Sequence, residues 1–501
     1  MKKIKELIVT TPQGDSGRLS RDSRYVFNYT TEDKQREASL LMPIRAESYG
    51  SGAMLGPFTM NLPEGYLKNR IEERFAKFGG INDMQLLAFT GKNQIGRLRF
   101  LELESGTSSV KPQMGRSELL KQSATADLFE FLLDAYLESG ISGVQPKVML
   151  PDADKPTKDE TLYERAAIVH SDLIVKASGV DFPNLAFNEF LCMTAAKTAG
   201  LSVPEFWLSN DAGLFVMERF DLADGQQLGF EDMAVLMDKT SVRDAKYQSS
   251  YEMLAKAVTL YSSDEKRMES LNRLFEYVTL SVMVRNGDAH LKNFGLLYEN
   301  PAKREHAKLA PLYDVVTTSV YEMVNGRGET KVDRSMALKM NRTKEYPSRT
   351  DLLDYAKLCS VQHPEAVIER IADAMQSTLE QQGQRGDAEF LNRMKREWDI
   401  GRKSLERTQF LQPARQQKPI HAPVVKDANT QDGKYVGHVL LVNPTHIFQH
   451  IGKYQQVKHA KEMFGDAVPQ QGQMLKISYK EGKVSRLEIG DEERKKEGLG
   501  R

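Results

Sequence analysis

The segment Asn286–Phe294 limits most strongly what this chain can fold into. It reads NGDAHLKNF and follows a predicted helix, Ser263–Val284, whose apolar residues recur at helical spacing. Asp288 and Asn293 stand five residues apart in it, which is the spacing of the catalytic loop of protein kinases. In such a loop the carboxylate faces the attacking hydroxyl, and the neutral amide oxygen is a ligand for a Mg²⁺ ion that also binds phosphate oxygens. The alternative is an ordinary loop after a helix, because Asp and Asn are common turn residues.

Two further charged residues stand inside apolar runs. Asp314 lies in Leu309–Val316, 21 residues after the asparagine of the loop, where a second metal ligand would follow a kinase catalytic loop. Its alternative role is that of a capping or turn residue. Lys176 follows Leu-Ile-Val, and burying a lysine is costly unless an anion pairs with it. A nucleotide phosphate would be such an anion, and so would Glu189 on the next predicted helix. The alternative is that Lys176 lies on a strand at the edge of a sheet and points into solvent.

The segment Val216–Asp221 predicts a strand that leads into a hinge. Its backbone would meet the edge of an adenine base, and Phe220 would cover the ring. The chain thus has its motifs in the order of a protein kinase: a lysine, a glutamate, a hinge, the D-x-x-x-x-N loop and a last aspartate. Their joint order predicts an α+β, bilobal protein-kinase-like fold, with a β-containing N-terminal lobe and a mainly helical C-terminal lobe. Strand-like runs near the end of the sequence add a small β-rich C-terminal domain to this prediction.

The composition argues against several other classes of protein. The 69 Lys and Arg balance the 69 Asp and Glu, which argues against a histone-like nucleic-acid binder. Hydrophobic residues make up 40% and charged residues 28% of the 501 residues, as in globular proteins. The two cysteines lie far apart, so we expect neither a disulfide framework nor a cysteine-rich zinc site. The sequence has no apolar stretch typical of a signal peptide or a membrane span, and we expect a cytoplasmic protein without a membrane partner.

Changes in pattern and composition divide the chain. Short strand-like runs alternate with turns in the first hundred residues, and the pattern becomes mainly helical after about Phe230. Leu411–Gly433 is rich in Pro and Gln, as linkers are. The predicted parts are an N-terminal subdomain (1–110), a nucleotide-binding lobe (111–230), a helical catalytic lobe (231–410), a linker (411–433), a small domain (434–489) and a charged tail (490–501).

Local patterns predict further elements of secondary structure. Helices are predicted at Tyr66–Phe78, Ser117–Leu137, Asn188–Ala199, Asp351–Leu358, Pro364–Gln376 and Ala388–Arg407. Strands are predicted at Ile95–Leu101, Lys147–Leu150, Ala167–Lys176, Gly213–Phe220, Val436–Val442 and Met474–Tyr479, with a hairpin turn at Glu481–Lys483. The glycine-rich segment Gly50–Gly56 has the wrong spacing and no strand–turn–helix frame for a nucleotide loop, so it is interpreted as a turn.

Several segments together resemble one known family. They are Asn61–Gly65, Ile141–Lys147, Asn188–Phe190, Glu218–Asp221, Asn286–Phe294 and Pro311–Asp314. In this combination the chain resembles, over about residues 1–405, the HipA family of serine/threonine-kinase toxins from bacterial toxin–antitoxin pairs.

The resemblance implies a role for individual residues. Asp288 would be the catalytic base, and Asn293 and Asp314 would bind Mg²⁺. Lys176 would hold a phosphate of ATP, while Glu218 and Phe220 would meet the adenine. The phosphate loop of the family would correspond to Ser139–Lys147, with Ser142, Gly143, Val144, Gln145 and Lys147 as nucleotide-binding residues. Members of the family phosphorylate components of translation, notably aminoacyl-tRNA synthetases, and are neutralised by a separate helix-turn-helix antitoxin, so operator DNA would be reached through that partner.

The same loop carries the predicted regulatory site. In relatives the kinase phosphorylates a serine of this loop, which then leaves the active site. Some members have serines at two positions of it. Here Gly140 stands at the first and Ser142 matches the second, so Ser142 is the predicted autophosphorylation site. A plain loop with capping serines is the alternative.

The region after the linker resembles a different family. Gly437–Leu440, Gln449–Gly452 and Gly472–Lys483 are similar to small KfrB-type domains of plasmid-borne proteins. Five of the nine histidines fall in or near it. They are interpreted as surface residues, and a metal site with His446 and His450 is the less favoured alternative, because no acidic or cysteine ligands stand among them.

Two functions remain open beside a protein kinase. Asn286-Gly287-Asp288 also resembles the corresponding loop of antibiotic phosphotransferases, which would make the chain a small-molecule kinase. A non-catalytic part of a plasmid partition or repressor complex is the third reading, and the presence of both Asp288 and Asn293 argues against it.

Overall fold

The computed structural model describes the chain in several stretches. They are residues 4–76, 80–92, 94–102, 115–121, 147–150, 172–178, 182–223, 225–240, 244–324, 330–382, 385–406, 424–452 and 455–490. The chain divides into two compact units, Met1–Ser39 with Ile44–Gln412 and Leu40–Pro43 with Pro413–Arg501. In the part that the structure describes, no helix combines the length and the apolar character that crossing a membrane requires.

A five-stranded antiparallel sheet opens the first unit. Its order is β4-β3-β2-β1-β5, and its strands are β1 (Glu6–Thr11), β2 (Gly14–Arg21), β3 (Tyr25–Tyr29), β4 (Tyr49–Ser51) and β5 (Arg99–Leu101). Buried residues alternate along β1, because one face of the sheet forms the core of this subdomain. The strand predicted at Ile95–Leu101 is limited to its last three residues.

Three helices lie between β4 and β5. They are α1 (Gly56–Thr59), α2 (Gly65–Ala76) and α3 (Asp83–Thr90). The predicted helix Tyr66–Phe78 corresponds to α2, and its last two residues lie outside the described ones. The sequence predicted no strand–turn–helix frame around Gly50–Gly56, but this segment does connect a strand to a helix. Both elements are short, since β4 has three residues and α1 has four.

A four-stranded antiparallel sheet carries the predicted nucleotide-binding lysine. Its order is β6-β7-β9-β8, with β6 (Lys147–Leu150), β7 (Leu173–Ala177), β8 (Phe206–Leu208) and β9 (Leu214–Glu218). Every residue of β7 is buried, because the strand lies between two others. The alternative of an edge strand with Lys176 in solvent is therefore wrong.

Helices flank this sheet. The short α4 (Arg116–Leu119) is the described part of the predicted helix Ser117–Leu137. The longer α5 (Leu185–Thr198) begins three residues before the predicted start. It ends as predicted, because Gly200 takes a positive φ of 75° that glycine adopts without strain.

The rest of the first unit is mainly helical, as predicted. Its helices are α6 (Met233–Leu236), α7 (Tyr251–Tyr261), α8 (Arg267–Met283), α9 (Arg349–Leu358), α10 (Pro364–Gln382) and α11 (Ala388–Ser404). Its strands form small antiparallel sheets: β10 (Leu222–Ala223) with β11 (Gln226–Gln227), β12 (Gly229–Asp232) with β13 (Gly295–Tyr298) and β14 (Lys308–Leu309), and β15 (Met323–Val324) with β16 (Thr330–Lys331). The predicted apolar stripe of α8 is buried, which places the segment that follows this helix against the core.

The second unit is a six-stranded sheet of order β17-β20-β19-β18-β21-β22. Its strands are β17 (Val424–Asp427), β18 (Lys434–Val442), β19 (His446–Gly452), β20 (Gln455–Ala460), β21 (Met474–Lys480) and β22 (Lys483–Gly490). The hairpin predicted between the last two is confirmed, since Glu481 and Gly482 both take the positive φ of a type I′ turn, 51° and 79°. The observed architecture thus confirms an α+β fold with a β-rich C-terminal region.

The histidines of this unit are not all surface residues. His459 is fully buried, with Nδ1 2.8 Å from the Tyr479 hydroxyl and Nε2 3.0 Å from Oε1 of Gln449. The surface interpretation is therefore wrong for His459. His446 and His450 lie on a strand rather than on a helix, so four residues separate them by about 13 Å. Among the described residues, no group of three or more His, Cys, Asp or Glu is arranged to hold a metal.

Candidate active site

One cleft of the first unit brings the predicted catalytic residues together. It has a volume of about 130 Å³. Its apolar wall comes from Ile95, Ile174, Met217, Phe220 and Phe230. Its polar residues are Asn61, Glu64, Lys176, Asp232, Lys246, Asn286, Asp288, His290, Lys292, Asn293 and Asp314. An apolar slot beside a group of charges suits a ligand with a flat ring and a charged tail.

Lys176 is the buried cation of this cleft. Its Nζ donates hydrogen bonds to Glu189, to Oδ1 of Asp314 at 2.8 Å and to the carbonyl oxygen of Tyr313 at 3.3 Å. Burial alone would lower the pKa of Lys176, but the charges of Asp314 and Glu189 raise it above its usual value. The side chain is therefore an ammonium ion, and the pairing with Glu189 that the sequence suggested is present.

Asp314 and Asn293 lie side by side. Nδ2 of Asn293 donates to Oδ2 of Asp314 at 2.8 Å, and Oδ1 of the same amide accepts from the backbone N–H of His290 at 2.9 Å. Neighbouring oxygen ligands of an octahedral Mg²⁺ lie about 3 Å apart when each is about 2.1 Å from the ion. The two side chains therefore fit a shared Mg²⁺ ion once the amide is turned, and water and phosphate oxygens would complete the coordination.

The end of α8 positions Asp288. The backbone N–H of Asn286 donates to the carbonyl of Ser281 at 2.8 Å, and that of Arg285 donates to Val282 at 3.2 Å. This is a Schellman motif, in which Arg285 occupies the left-handed position with φ 60° where glycine is usual. The chain thus turns sharply out of the helix and presents Asp288 in the cleft.

Gly287 is required by close packing in this turn. A Cβ at this position would lie 2.6 Å from the carbonyl oxygen of Ser335 and 2.8 Å from Oγ1 of Thr318. The N–H of Gly287 donates to that hydroxyl oxygen at 2.7 Å. The lack of space for a side chain therefore explains why a glycine stands between Asn286 and Asp288.

The Asp288 carboxylate is accessible. Its side chain is 47% exposed, and Oδ1 accepts a hydrogen bond from the Tyr247 hydroxyl at 2.8 Å. His290 lies beside it, with Nε2 4.0 Å from Oδ1. Burial lowers the pKa of His290 to about 4, so this imidazole is neutral at pH 7. Asp288 is placed to accept a proton from a group that enters the cleft.

The hinge residues take different places. Phe220 stacks on Tyr313 with ring centroids 4.7 Å apart and lines the cleft. Glu218 is half-buried at the end of β9. Arg219 and Asp221, which flank Phe220 in the sequence, form a fully buried ion pair. The Asp221 carboxylate also accepts a hydrogen bond from the backbone N–H of Gly96 at 2.6 Å. The hinge is thereby attached to the N-terminal subdomain, a role that the sequence did not reveal.

The N-terminal subdomain also contributes a side chain to the cleft. Glu64 places Oε1 2.5 Å from Nζ of Lys292 and Oε2 2.8 Å from Nζ of Lys246. Burial would raise the pKa of Glu64, but the two lysines lower it to about 2. Sequence reasoning missed these contacts, because they join residues 182 and 228 positions apart.

The predicted phosphate loop is described in part. Ser142, Gly143, Val144 and Gln145 lie outside the described residues. The backbone of Lys147 belongs to β6 and stands opposite Lys176 in the register of the two strands. Lys147 thus lies in the sheet that carries the buried lysine.

Family models match three regions of the chain. The HipA-like C-terminal domain matches residues 139–382, and the HipA N-terminal domain matches residues 7–101. The KfrB domain matches residues 434–488. Together the two HipA matches cover well over half of the chain, and both resemblances stated from the sequence are confirmed.

Curated relatives and a solved structure agree with these matches. A putative kinase of Haemophilus influenzae is 32% identical over 197 residues, 36% of this chain and 53% of that protein. Putative kinase Y4dM of Sinorhizobium fredii is 29% identical over 308 residues, 58% of this chain and 66% of that protein. The chain therefore spans about half to two thirds of the length of these relatives. HipA of Shewanella oneidensis, solved with HipB and its operator DNA, superposes with a TM-score of 0.54 at 16% identity, covering 79% of this chain and 96% of that one, which supports the fold.

Proposed function

Because this chain belongs to the HipA family of kinases, we propose that it transfers the γ-phosphoryl group of ATP to a serine or threonine hydroxyl of a protein. The observation that carries the proposal is the continuous set of contacts from Lys176 through Asp314 to Asn293, with the accessible carboxylate of Asp288 in the same cleft. Phosphoryl transfer requires a cation for the phosphates, oxygen ligands for Mg²⁺ and a carboxylate for the nucleophile. Each of these groups is available here.

The residues act as follows in this proposal. Lys176 binds a phosphate of ATP, and Phe220 with Glu218 meets the adenine. Asp314 and Asn293 would hold Mg²⁺, and the ion would supply positive charge that neutralises the phosphates. Asp288 accepts the proton of the substrate hydroxyl, and the Tyr247 hydroxyl fixes the orientation of that carboxylate.

The proposal extends to partners and regulation. The solved HipA relative is a complex with HipB and operator DNA, and we propose that this chain likewise has a helix-turn-helix antitoxin that links it to operator DNA. Its substrate would be a component of translation such as an aminoacyl-tRNA synthetase, and it would act in the cytoplasm, where ATP is available. Ser142 would be phosphorylated by the kinase itself. The added charge of about −1.5 to −2 would repel nucleotide from the loop.

Substitution of the base tests the proposal. Asp288→Asn keeps the size of the side chain and its contact with Tyr247 but removes the base, so we expect transfer of ³²P from ATP to lysate proteins to be lost. ATP·Mg²⁺ should still raise the melting temperature of the variant, because Asp288 is not among the groups proposed to bind the nucleotide. Transfer at the wild-type rate by Asp288→Asn would contradict the assignment.

Mass spectrometry tests the regulatory site. After incubation with ATP, we expect phosphate on Ser142 of the wild type and none on the Asp288→Asn variant. An active kinase without phosphate anywhere in Ser139–Ser142 would show that the switch is absent.

A further inference from the structure

Two lysines of the cleft share a single carboxylate that comes from a distant part of the chain. Lys246 and Lys292 lie on two short helical turns, Ala245–Tyr247 and Leu291–Asn293. Glu64 accepts from each of them with a different oxygen. The ammonium groups therefore face one point, and a carboxylate occupies that point.

The arrangement has the chemistry of an oxyanion site. An ammonium group makes charge-assisted hydrogen bonds to phosphate oxygens as well as to carboxylate oxygens, and here two ammonium groups bind separate oxygens of one anion. Both lysines are largely buried, with side-chain exposures of 9% and 15%, so an anion between them is weakly screened by solvent. Glu64 is the most exposed of the three at 28%.

The site is close to the proposed reaction centre. Lys246 precedes Tyr247, whose hydroxyl donates to Asp288, and Lys292 precedes Asn293, which contacts Asp314. All of these side chains line the same cleft. A phosphoryl group held by the two lysines would thus lie near both the base and the proposed metal ligands.

We propose that Lys246 and Lys292 form a second anion site of the cleft, which binds a phosphoryl group, and that Glu64 is its built-in competitor. The carboxylate keeps the two ammonium groups in place when the site has no phosphoryl ligand. A phosphoryl ligand enters by displacing Glu64, which stays attached to the N-terminal subdomain. The phosphoryl group is either the terminal phosphate of the nucleotide or a phosphorylated side chain of the protein substrate. Only the choice between these sources rests on the proposed function.

Removal of the competitor tests the site without any phosphoryl transfer. Binding of sodium phosphate to the nucleotide-free protein is measured by calorimetry at constant ionic strength. Glu64→Gln removes the competing charge, so we expect phosphate affinity to rise on the order of tenfold. Adding Lys246→Met or Lys292→Met to Glu64→Gln should abolish the gain.

A matched control comes from another carboxylate with two cationic partners. Glu269 pairs with Lys266 at 3.1 Å and with Arg273 at 2.6 Å on the surface of α8, away from the cleft. Glu269→Gln should leave phosphate affinity unchanged. An equal gain in Glu269→Gln, or a gain in Glu64→Gln that persists without the two lysines, would show a nonspecific effect of charge and overturn the proposal.

Three ligands, a nonhydrolysable ATP analogue, ADP and phosphoserine, identify the source of the phosphoryl group. If the two lysines bind the terminal phosphate of the nucleotide, Glu64→Gln raises the affinity for a nonhydrolysable ATP analogue more than the affinity for ADP. If the two lysines bind a phosphorylated side chain of the substrate, Glu64→Gln raises the affinity for phosphoserine and leaves the ratio of the affinities for the ATP analogue and ADP unchanged. An unchanged affinity for phosphate, ATP analogue and phosphoserine in a folded Glu64→Gln protein would overturn the site.

A comparison without Glu64→Gln keeps the test decisive if that variant does not fold. The wild type should bind phosphate weakly, because phosphate must displace the carboxylate, and Lys246→Met with Lys292→Met should not bind it at this site. Equal binding by both proteins would overturn the proposal. Loss of phosphoryl transfer in Asp288→Asn bears on the proposed function alone, so the failure of one idea is distinguishable from the failure of the other.

Discussion

The buried ion pair of the hinge gives a sharp prediction for stability. The Asp221 carboxylate accepts from Arg219 at 2.9 and 2.5 Å and from the N–H of Gly96 at 2.6 Å, and both charged side chains are fully buried. Asp221→Asn preserves the shape but leaves the Arg219 charge without its counterion. Breaking a buried pair in this way costs about 3 to 5 kcal/mol.

A second arginine increases the expected cost. Burial and the charge of Arg219 lower the pKa of Arg99 to about 9, and Asp221 opposes that shift. Removing the carboxylate therefore leaves the repulsion between the Arg219 and Arg99 charges unopposed. We expect Asp221→Asn to lie at the upper end of the range, and Arg219→Met combined with Asp221→Asn to be less destabilised than Asp221→Asn alone, because one uncompensated charge is gone.

Urea unfolding followed by tryptophan fluorescence measures this effect, since both tryptophans, Trp207 and Trp398, lie in the first unit. A loss of about 5 kcal/mol shifts the midpoint by about 1.7 M if the slope is about 3 kcal/mol/M. Asp264→Asn is the matched control, because Asp264 pairs with Arg267 but its side chain is 90% exposed. Such surface pairs contribute about 0 to 1 kcal/mol. Equal midpoints for Asp221→Asn and Asp264→Asn would refute the reasoning.

Three further outcomes are expected. Asp314→Asn removes a negative charge from the proposed metal site, so transfer activity should need a higher Mg²⁺ concentration, and an unchanged Mg²⁺ titration would contradict the role. Limited proteolysis should cut first within Leu411–Gly433 and release two fragments, and if that stretch stays intact the predicted linker is wrong. Burial lowers the pKa of His459 from 6.5 to about 4, so between these values the unfolded chain binds a proton that the folded chain does not, and stability should fall by up to about 3 kcal/mol as the pH drops through that window. The protection factors of the Met474–Lys480 amides against hydrogen exchange, corrected for the intrinsic rate at each pH, should then fall between pH 7 and pH 5 in the wild type and much less in His459→Gln.

The sequence predicted those features whose physical causes are local. A lysine among apolar residues predicted burial with an anion, and Lys176 does contact Glu189 and Asp314. The helix that ends at Gly200 and the hairpin turn at Glu481–Lys483 were predicted because positive φ angles favour particular residues there. The order of protein-kinase motifs also predicted that Asp314 lies beside the loop that carries Asn293, and the two side chains are in contact.

Long-range contacts were beyond the same reasoning. Glu64 gave no sign of contact with two lysines of the helical region, since ion pairs between distant segments leave no periodic pattern. The edge-strand alternative for Lys176 could be rejected after the strand order was known, because only the sheet topology shows that β7 is internal. His459 was misjudged for the same reason, since its two hydrogen-bonding partners come from other strands. The roles of the site residues and the domain boundaries stay predictions until the experiments above are done.

The N-terminal subdomain is attached on two sides of the cleft, through Gly96 to the hinge and through Glu64 to the helical region. Asn61 connects the two attachments, because its amide donates to the carbonyl of Ile95 at 2.9 Å. The subdomain thus joins the hinge to the helical region through two sets of polar contacts, so that a movement of one relative to the other would have to lengthen or break one of these contacts.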